Sequence, residues 1–221
     1  MSPDLVYSPS APSGVALGPD FFARDTLLVA HDLIGKILVR GGPHGFRWGR
    51  LIEVEAYQGP EDLAAHSSRG LTPRTRTMYG PPGHAYVYLV YGIHHCLNFV
   101  TRAAGTPHAV LIRALEPGPG VDRCSGPGLV CRALDIGLEL NGAELRPPRL
   151  WVVDDGQRPA RVRQSVRIGV DYAREWAGRP WRYFVPPARE ARPRASRPHS
   201  PQPPSEPPES RTSGTGVRRR R

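Results

Sequence analysis

Lysine is nearly missing from this chain: Lys36 is the only one among 221 residues, beside 29 arginines. Covalent catalysis through an amine therefore has little to draw on, because that one lysine sits in the short apolar run KILVR. Cysteine is scarce as well. Cys96, Cys124 and Cys131 are an odd number without a CxxC pair, which argues against a disulfide framework and a structural zinc site and fits a reducing, cytoplasmic setting. No basic-then-apolar leader opens the sequence and no apolar run approaches the ~18 residues of a membrane span, so neither export nor a membrane partner is expected.

What the chain has in excess is arginine. The formal net charge is +10, carried by guanidinium groups that do not deprotonate, and nucleic acid is the natural anionic partner. The charge is uneven: residues 187–221 hold nine arginines, three glutamates and eight prolines, too polar a stretch to bury a core. We expect an N-terminal arm over residues 1–20, one domain over 21–186, and a Pro/Arg-rich disordered tail over 187–221 that adds salt-sensitive attraction to DNA or is neutral.

Within the domain the pattern predicts a helix over 21–34, stopped by Gly35, then strands at 36–40 and 50–57 about a Gly/Pro-rich turn. A loop follows from Gly59 to Gly83, with one helical turn expected at 61–66. Strands are expected at 84–91 and 93–100 around a reversal at Tyr91-Gly92, and again at 108–115, 150–154, 165–170 and 181–185. Ser125 and Pro127 predict the start of a helix that Gly137 ends. The fold class is α+β: a single domain with a curved antiparallel sheet flanked by helices.

Chemistry concentrates in EVEAYQGPEDLAAHSSRGLTPRTR, residues 53–76, where four acids, a tyrosine, a histidine and three arginines share twenty-four positions. In a strand, Glu53, Glu55 and Tyr57 fall on one face. Glu55 is a candidate general base, or a structural carboxylate paired with an arginine such as Arg113; with Glu53 it could also form an acid and base pair. His66 is open to three readings: metal ligand, proton carrier, or wall of an aromatic pocket. Tyr57, Tyr86, Tyr88 and Tyr91 suit an ordinary sheet and equally suit stacking on nucleobases.

Five separated segments, EVEAYQGPEDLAAHSSRG, TPRTRTMYGPPGHAYVYLVYGIHHCLN, VLIRALEP with GPGLVCRALDI, RIGV and PWRYFV, resemble the 3-methyladenine DNA glycosylases of the alkyladenine type, in order, from about Phe21 to Val185. The resemblance implies a monofunctional enzyme of base excision repair that flips alkylated or deaminated purines out of duplex DNA and hydrolyses the N-glycosidic bond. It implies Glu55 as the base that activates water and Arg113 as the arginine that helps hold it. It further implies Tyr57, His66 and Tyr88 as walls around the flipped base, Asn98 at the pocket edge, and Tyr91 as the wedge that fills the vacated space. Arg69, Arg74 and Arg76 are then candidates for the DNA backbone. A monomer without cofactor or metal is expected, acting on double-stranded DNA that contains damaged purines. The rival readings are a catalytically silent nucleic-acid binder and a metal-dependent hydrolase using Glu53, Glu55, Asp62 and His66.

Overall fold

A computed structural model of the chain describes residues 6–187, which leaves nearly all of the Pro/Arg-rich tail outside the described residues. The strand-forming segments assemble into one sheet of nine strands: β1 (Val15–Ala16), β2 (Ile37–Gly42), β3 (Gly45–Gln58), β4 (Ala85–Val90), β5 (His94–Thr101), β6 (His108–Pro117), β7 (Leu150–Asp154), β8 (Arg163–Ser165) and β9 (Arg182–Phe184). Neighbours run β1-β7-β2-β3-β6-β5-β4, with β9 on β3 and β8 on β9, and every pairing is antiparallel. Among the described residues three short α-helices accompany it: α1 (Pro19–Phe22), α2 (Thr26–Leu33) and α3 (Pro127–Ala133). The α+β class read from the sequence is the class observed.

β3 organises the molecule, because its first half pairs with β2 and its second half with β9, while β6 follows it along the other edge. Between the halves the register slips. Leu51 faces Leu115, Glu53 faces Ala114 and Val54 faces Ile112, so Ile52 on β3 and Arg113 on β6 are left without a partner across this pair. A residue added to a strand reverses which face its successors point to. Leu51 and Val54, three positions apart, thus both enter the core, and Glu53, Glu55 and Tyr57 turn to the opposite face.

One face of the sheet is the core. Val54, Ala56, Val87, Leu97, Phe99, Val110 and Ile112 pack there against Val29, Ala30 and Leu33 of α2 and Val130 and Cys131 of α3. Arg47, 1% exposed, fastens the far end: its Nε donates to the carbonyl of Ala133 at the end of α3 and its Nη1 to that of Val6. A guanidinium thereby satisfies a carbonyl that a helix terminus otherwise leaves unpaired.

Several local expectations change. The helix read over 21–34 breaks in two because Asp25 caps α2, its carboxylate accepting from the N–H groups of Leu27 and Leu28. The turn expected at 61–66 lies further on, as 3-10 turns at His66–Arg69 and Arg76–Tyr79. Ser125 does not cap α3; Gly126 occupies that position with φ 114°, a conformation open to glycine. The expected strand 165–170 ends at Ser165, since Arg167 and Ile168 leave the sheet to serve the opposite face. Residues 6–20 contribute β1, which lies along β7, and a bridge between Ser8 and Phe46.

Candidate active site

The face opposite the core holds the polar residues that the slipped register sends there. A cavity of about 610 Å³ opens on it, and its lining includes Tyr57, His66, Tyr88, Asn98, Arg113 and Ile168. Glu55 stands immediately behind this wall, with no exposed surface.

Three donors converge on its carboxylate. Oε1 accepts from the backbone N–H of Ile168 at 2.8 Å; Oε2 accepts from the Tyr57 hydroxyl at 2.9 Å and from Nη1 of Arg113 at 3.3 Å. All three belong to cavity-lining residues. Burial pushes the Glu55 carboxyl above its ordinary range, and Arg113, the Ile168 amide and the Tyr57 hydroxyl pull it partly back. With three hydrogen bonds on about four acceptor positions, the carboxylate retains capacity for one more donor.

Glu53 is differently placed. Its Oε1 accepts from Nε of Arg113 at 3.0 Å and from Nη1 of Arg182 at 3.1 Å, so its charge is held between two guanidinium groups. Arg113 therefore spans both acids, and the register slip that leaves it unpaired on β6 is what aims it between them. Glu53 and Glu55 are not equivalent members of a pair.

The walls are aromatic. His66 and Tyr88 meet edge to face, ring centres 4.5 Å apart, and Nδ1 of His66 lies 3.0 Å from the Tyr86 hydroxyl. Burial, with Arg74 and Arg69 adding to it, lowers the His66 pKa to about 4, so the ring is neutral at ordinary pH. The hydroxyls of Tyr57 and Tyr88 are driven up, chiefly by burial, and stay protonated. Asn98, 4% exposed, donates from Nδ2 to the carbonyl of Tyr86, its partner in the β4 and β5 ladder.

Tyr91 stands at the rim, 90% exposed, on the reversal between β4 and β5, where it and Gly92 both take positive φ (51° and 70°). Two successive left-handed residues make the tight turn that right-twisted strands favour. Arg69 and Arg74 also line the cavity, with Arg74 5.1 Å from the Tyr88 ring centre. Arg76 is exposed on its 3-10 turn and is not part of the lining. Among the described residues no group of three or more His, Cys, Asp or Glu side chains could hold a metal ion, and no helix is long and apolar enough to cross a membrane.

Sequence reasoning missed Ile168 and Arg167. The first acts through a backbone N–H that no side-chain pattern reveals. The second forms a buried ion pair with Asp62, 105 positions away, and its only local signal is an arginine inside the apolar run SVRIGV.

A buried carboxylate whose pKa is raised by burial thus stands behind a cavity lined by aromatic rings and by Arg69 and Arg74. The comparisons name the family. Residues 20–189 match the family of methylpurine-DNA glycosylase (MPG). A protein of Methanocella arvoryzae named "Putative 3-methyladenine DNA glycosylase" is 48% identical over 179 residues, covering 75% of this chain and 90% of its own. Relatives of the same name from Anaeromyxobacter sp. (49% over 171 residues, 76% and 88% covered) and Legionella pneumophila strain Lens (47% over 167 residues, 75% and 91% covered) agree. The chain belongs to the methylpurine-DNA glycosylase family. It is a DNA glycosylase, a hydrolase of N-glycosyl bonds that acts on DNA in its repair.

Proposed function

We propose that the enzyme releases alkylated and deaminated purines, 3-methyladenine among them, from duplex DNA after turning the nucleotide out into the cavity, and that Glu55 is its general base. The observation that carries this reading is the unexposed Glu55 carboxylate, bonded to three cavity-lining residues and raised in pKa by burial. A carboxylate of raised pKa is a better base near neutrality than a solvated one.

The steps balance simply. The C1′–N9 bond breaks with its electron pair passing to the purine, and for a base alkylated at N3 or N7 this discharges a positive charge. The cationic leaving group then needs no proton, whereas a neutral deaminated purine departs as an anion and takes up one proton, which balances the one that the water gives up. Water, held by Glu55 and Arg113, forms the new bond to C1′, and its proton passes to Glu55. Before that transfer the carboxylate also stabilises positive charge developing on the sugar.

The walls suit such a base. His66 is uncharged, Tyr57 and Tyr88 are neutral rings in the lining, and attraction between a cationic base and an aromatic face contributes up to about 2 kcal/mol when desolvated. Tyr91 is assigned to the space the base vacates, Asn98 to rejecting the exocyclic amine of guanine, and Arg69, Arg74 and Arg76 to the phosphates. Turning a base out costs a few kcal/mol, least where pairing is already damaged, which favours lesions.

Glu55→Gln tests the assignment. It should abolish release of 3-methyladenine, in buffer with or without EDTA, while binding to damaged duplex stays within a few-fold of wild type. Full activity in the variant would remove Glu55 from the mechanism.

A further inference from the structure

Packed on the Tyr57 ring, and not part of the cavity lining, lies a charged pair that the catalytic scheme leaves unused. Asp62 has no exposed surface and Arg167 is 4% exposed. Nη2 of Arg167 donates to Oδ1 of Asp62 at 2.8 Å and Nη1 donates to Oδ2, the two-pronged arrangement of a strong pair. The same guanidinium donates to the carbonyls of Ala56 (3.0 Å) and Trp176 (3.1 Å); among the described residues its Nε has no partner. Its carbon lies 4.7 Å from the Tyr57 ring centre and 5.0 Å from that of Trp181, so it is packed between two aromatic rings.

A buried ion pair is weak as a source of stability, since desolvation offsets most of the attraction. Its connections suggest another use. Asp62 accepts from the N–H groups of Gln58 (3.2 Å) and Ala64 (3.1 Å), which fixes the chain between Tyr57 and His66. Arg167 immediately precedes Ile168, whose N–H reaches Glu55. One pair thus holds both aromatic walls and one donor to the base. Its charges also bear on what can stack there. A purine on the free side of Tyr57 would lie roughly 8 Å from the Arg167 charge, counting one aromatic stacking distance beyond the ring.

We propose that Asp62 and Arg167 are positioning residues that set the charge selectivity of the pocket: Asp62 cancels the guanidinium packed on Tyr57, so that a cationic purine is admitted to the other face of the ring. This rests on the reading of Tyr57 as a wall for the flipped base. Without Asp62, a net positive charge would face any cationic base across the ring. At roughly 8 Å and an effective dielectric of about 20 to 40, that repulsion corresponds to about 5- to 30-fold in affinity, and a neutral base would escape it.

The test compares full-length wild type with Asp62→Asn at pH 6, using duplexes that carry 7-methylguanine (cationic) or hypoxanthine (neutral), both on 2′-fluoro sugars that slow cleavage. The ratio of the two dissociation constants should shift about 5- to 30-fold against 7-methylguanine in Asp62→Asn. It should return to near the wild-type ratio in the double variant Asp62→Asn with Arg167→Gln, where no charge remains. Equal weakening toward both duplexes would overturn the proposal, because a merely structural pair has no reason to distinguish them. If Asp62→Asn does not fold, Arg167→Gln alone decides, since its ratio must equal the wild-type value or favour 7-methylguanine, and a shift against it refutes the idea. Failure of wild type to prefer either lesion over undamaged duplex would instead sink the underlying reading of the pocket.

Discussion

Tyr57→Phe isolates one strand of the mechanism, since it keeps the aromatic wall and deletes only the hydroxyl that donates to Oε2 of Glu55 at 2.9 Å. Hydrogen bonds to a charged acceptor contribute about 1.5–3 kcal/mol, and 1.36 kcal/mol corresponds to one pKa unit. The Glu55 pKa, already raised by burial, should therefore rise further by about one to two units when this donor is lost. A general base works only when deprotonated, so activity fails as pH falls through its pKa. The acid limb of the pH profile for single-turnover release of 3-methyladenine should move to higher pH by that amount. Binding of uncleaved damaged duplex should change little, because the ring remains. An acid limb that stays in place, or moves downward, would refute the idea that this hydroxyl holds Glu55 in its ionised form; a large loss of binding without a pH shift would make Tyr57 only a wall.

Other outcomes follow from the same geometry. The raised Glu55 pKa means the folded state binds the proton more tightly than the unfolded one, so stability falls as pH rises from near 4.5 through the folded value; Glu55→Gln should lack this loss, and its Tm advantage over wild type should grow across that range. For His66 the sign is opposite: with a folded pKa of about 4, its contribution is complete above about 6.5 and is lost as pH falls toward 4, and an NMR titration should show the ring neutral until then. Tyr91→Ala should leave Tm unchanged, because the side chain is 90% exposed, yet weaken affinity for an abasic-site analogue by about 5- to 150-fold, the range for one lost stacking contact; unchanged affinity would count against the wedge.

Much of the fold was legible because period-two alternation is local. The strands around Tyr91-Gly92, the strand ending at Tyr57 and the helix after Pro127 all lie close to where pattern and turn residues suggest. The shared face of Glu53, Glu55 and Tyr57 was legible for the same reason, as was the aromatic cluster. The unequal environments of the two acids were not, since they depend on Arg182 and Ile168, more than a hundred residues downstream. SVRIGV shows why apolar pattern misleads at such a site. Its branched residues favour a strand, but the buried bond from Arg167 to Asp62 and the amide bond to Glu55 draw the backbone away from the ladder. Asp25, Asp62 and Ser125 show the matching weakness of polar residues, whose capping or pairing partner is chosen by tertiary geometry.

The offset between β3 and β6 also ties the lengths of the two strands together. Ile52 and Arg113 are paired irregularities, one on each strand, and together they let a single ladder change faces without parting. Deleting Ile52 alone would leave Val54 inward and Glu55 outward by plain alternation from Leu51, but it would strand Arg113 as an uncompensated extra residue on β6. A length change in one strand therefore disturbs the aim of Arg113 between Glu53 and Glu55 unless the other strand changes with it. The lengths of the two strands are thus coupled through a single arginine.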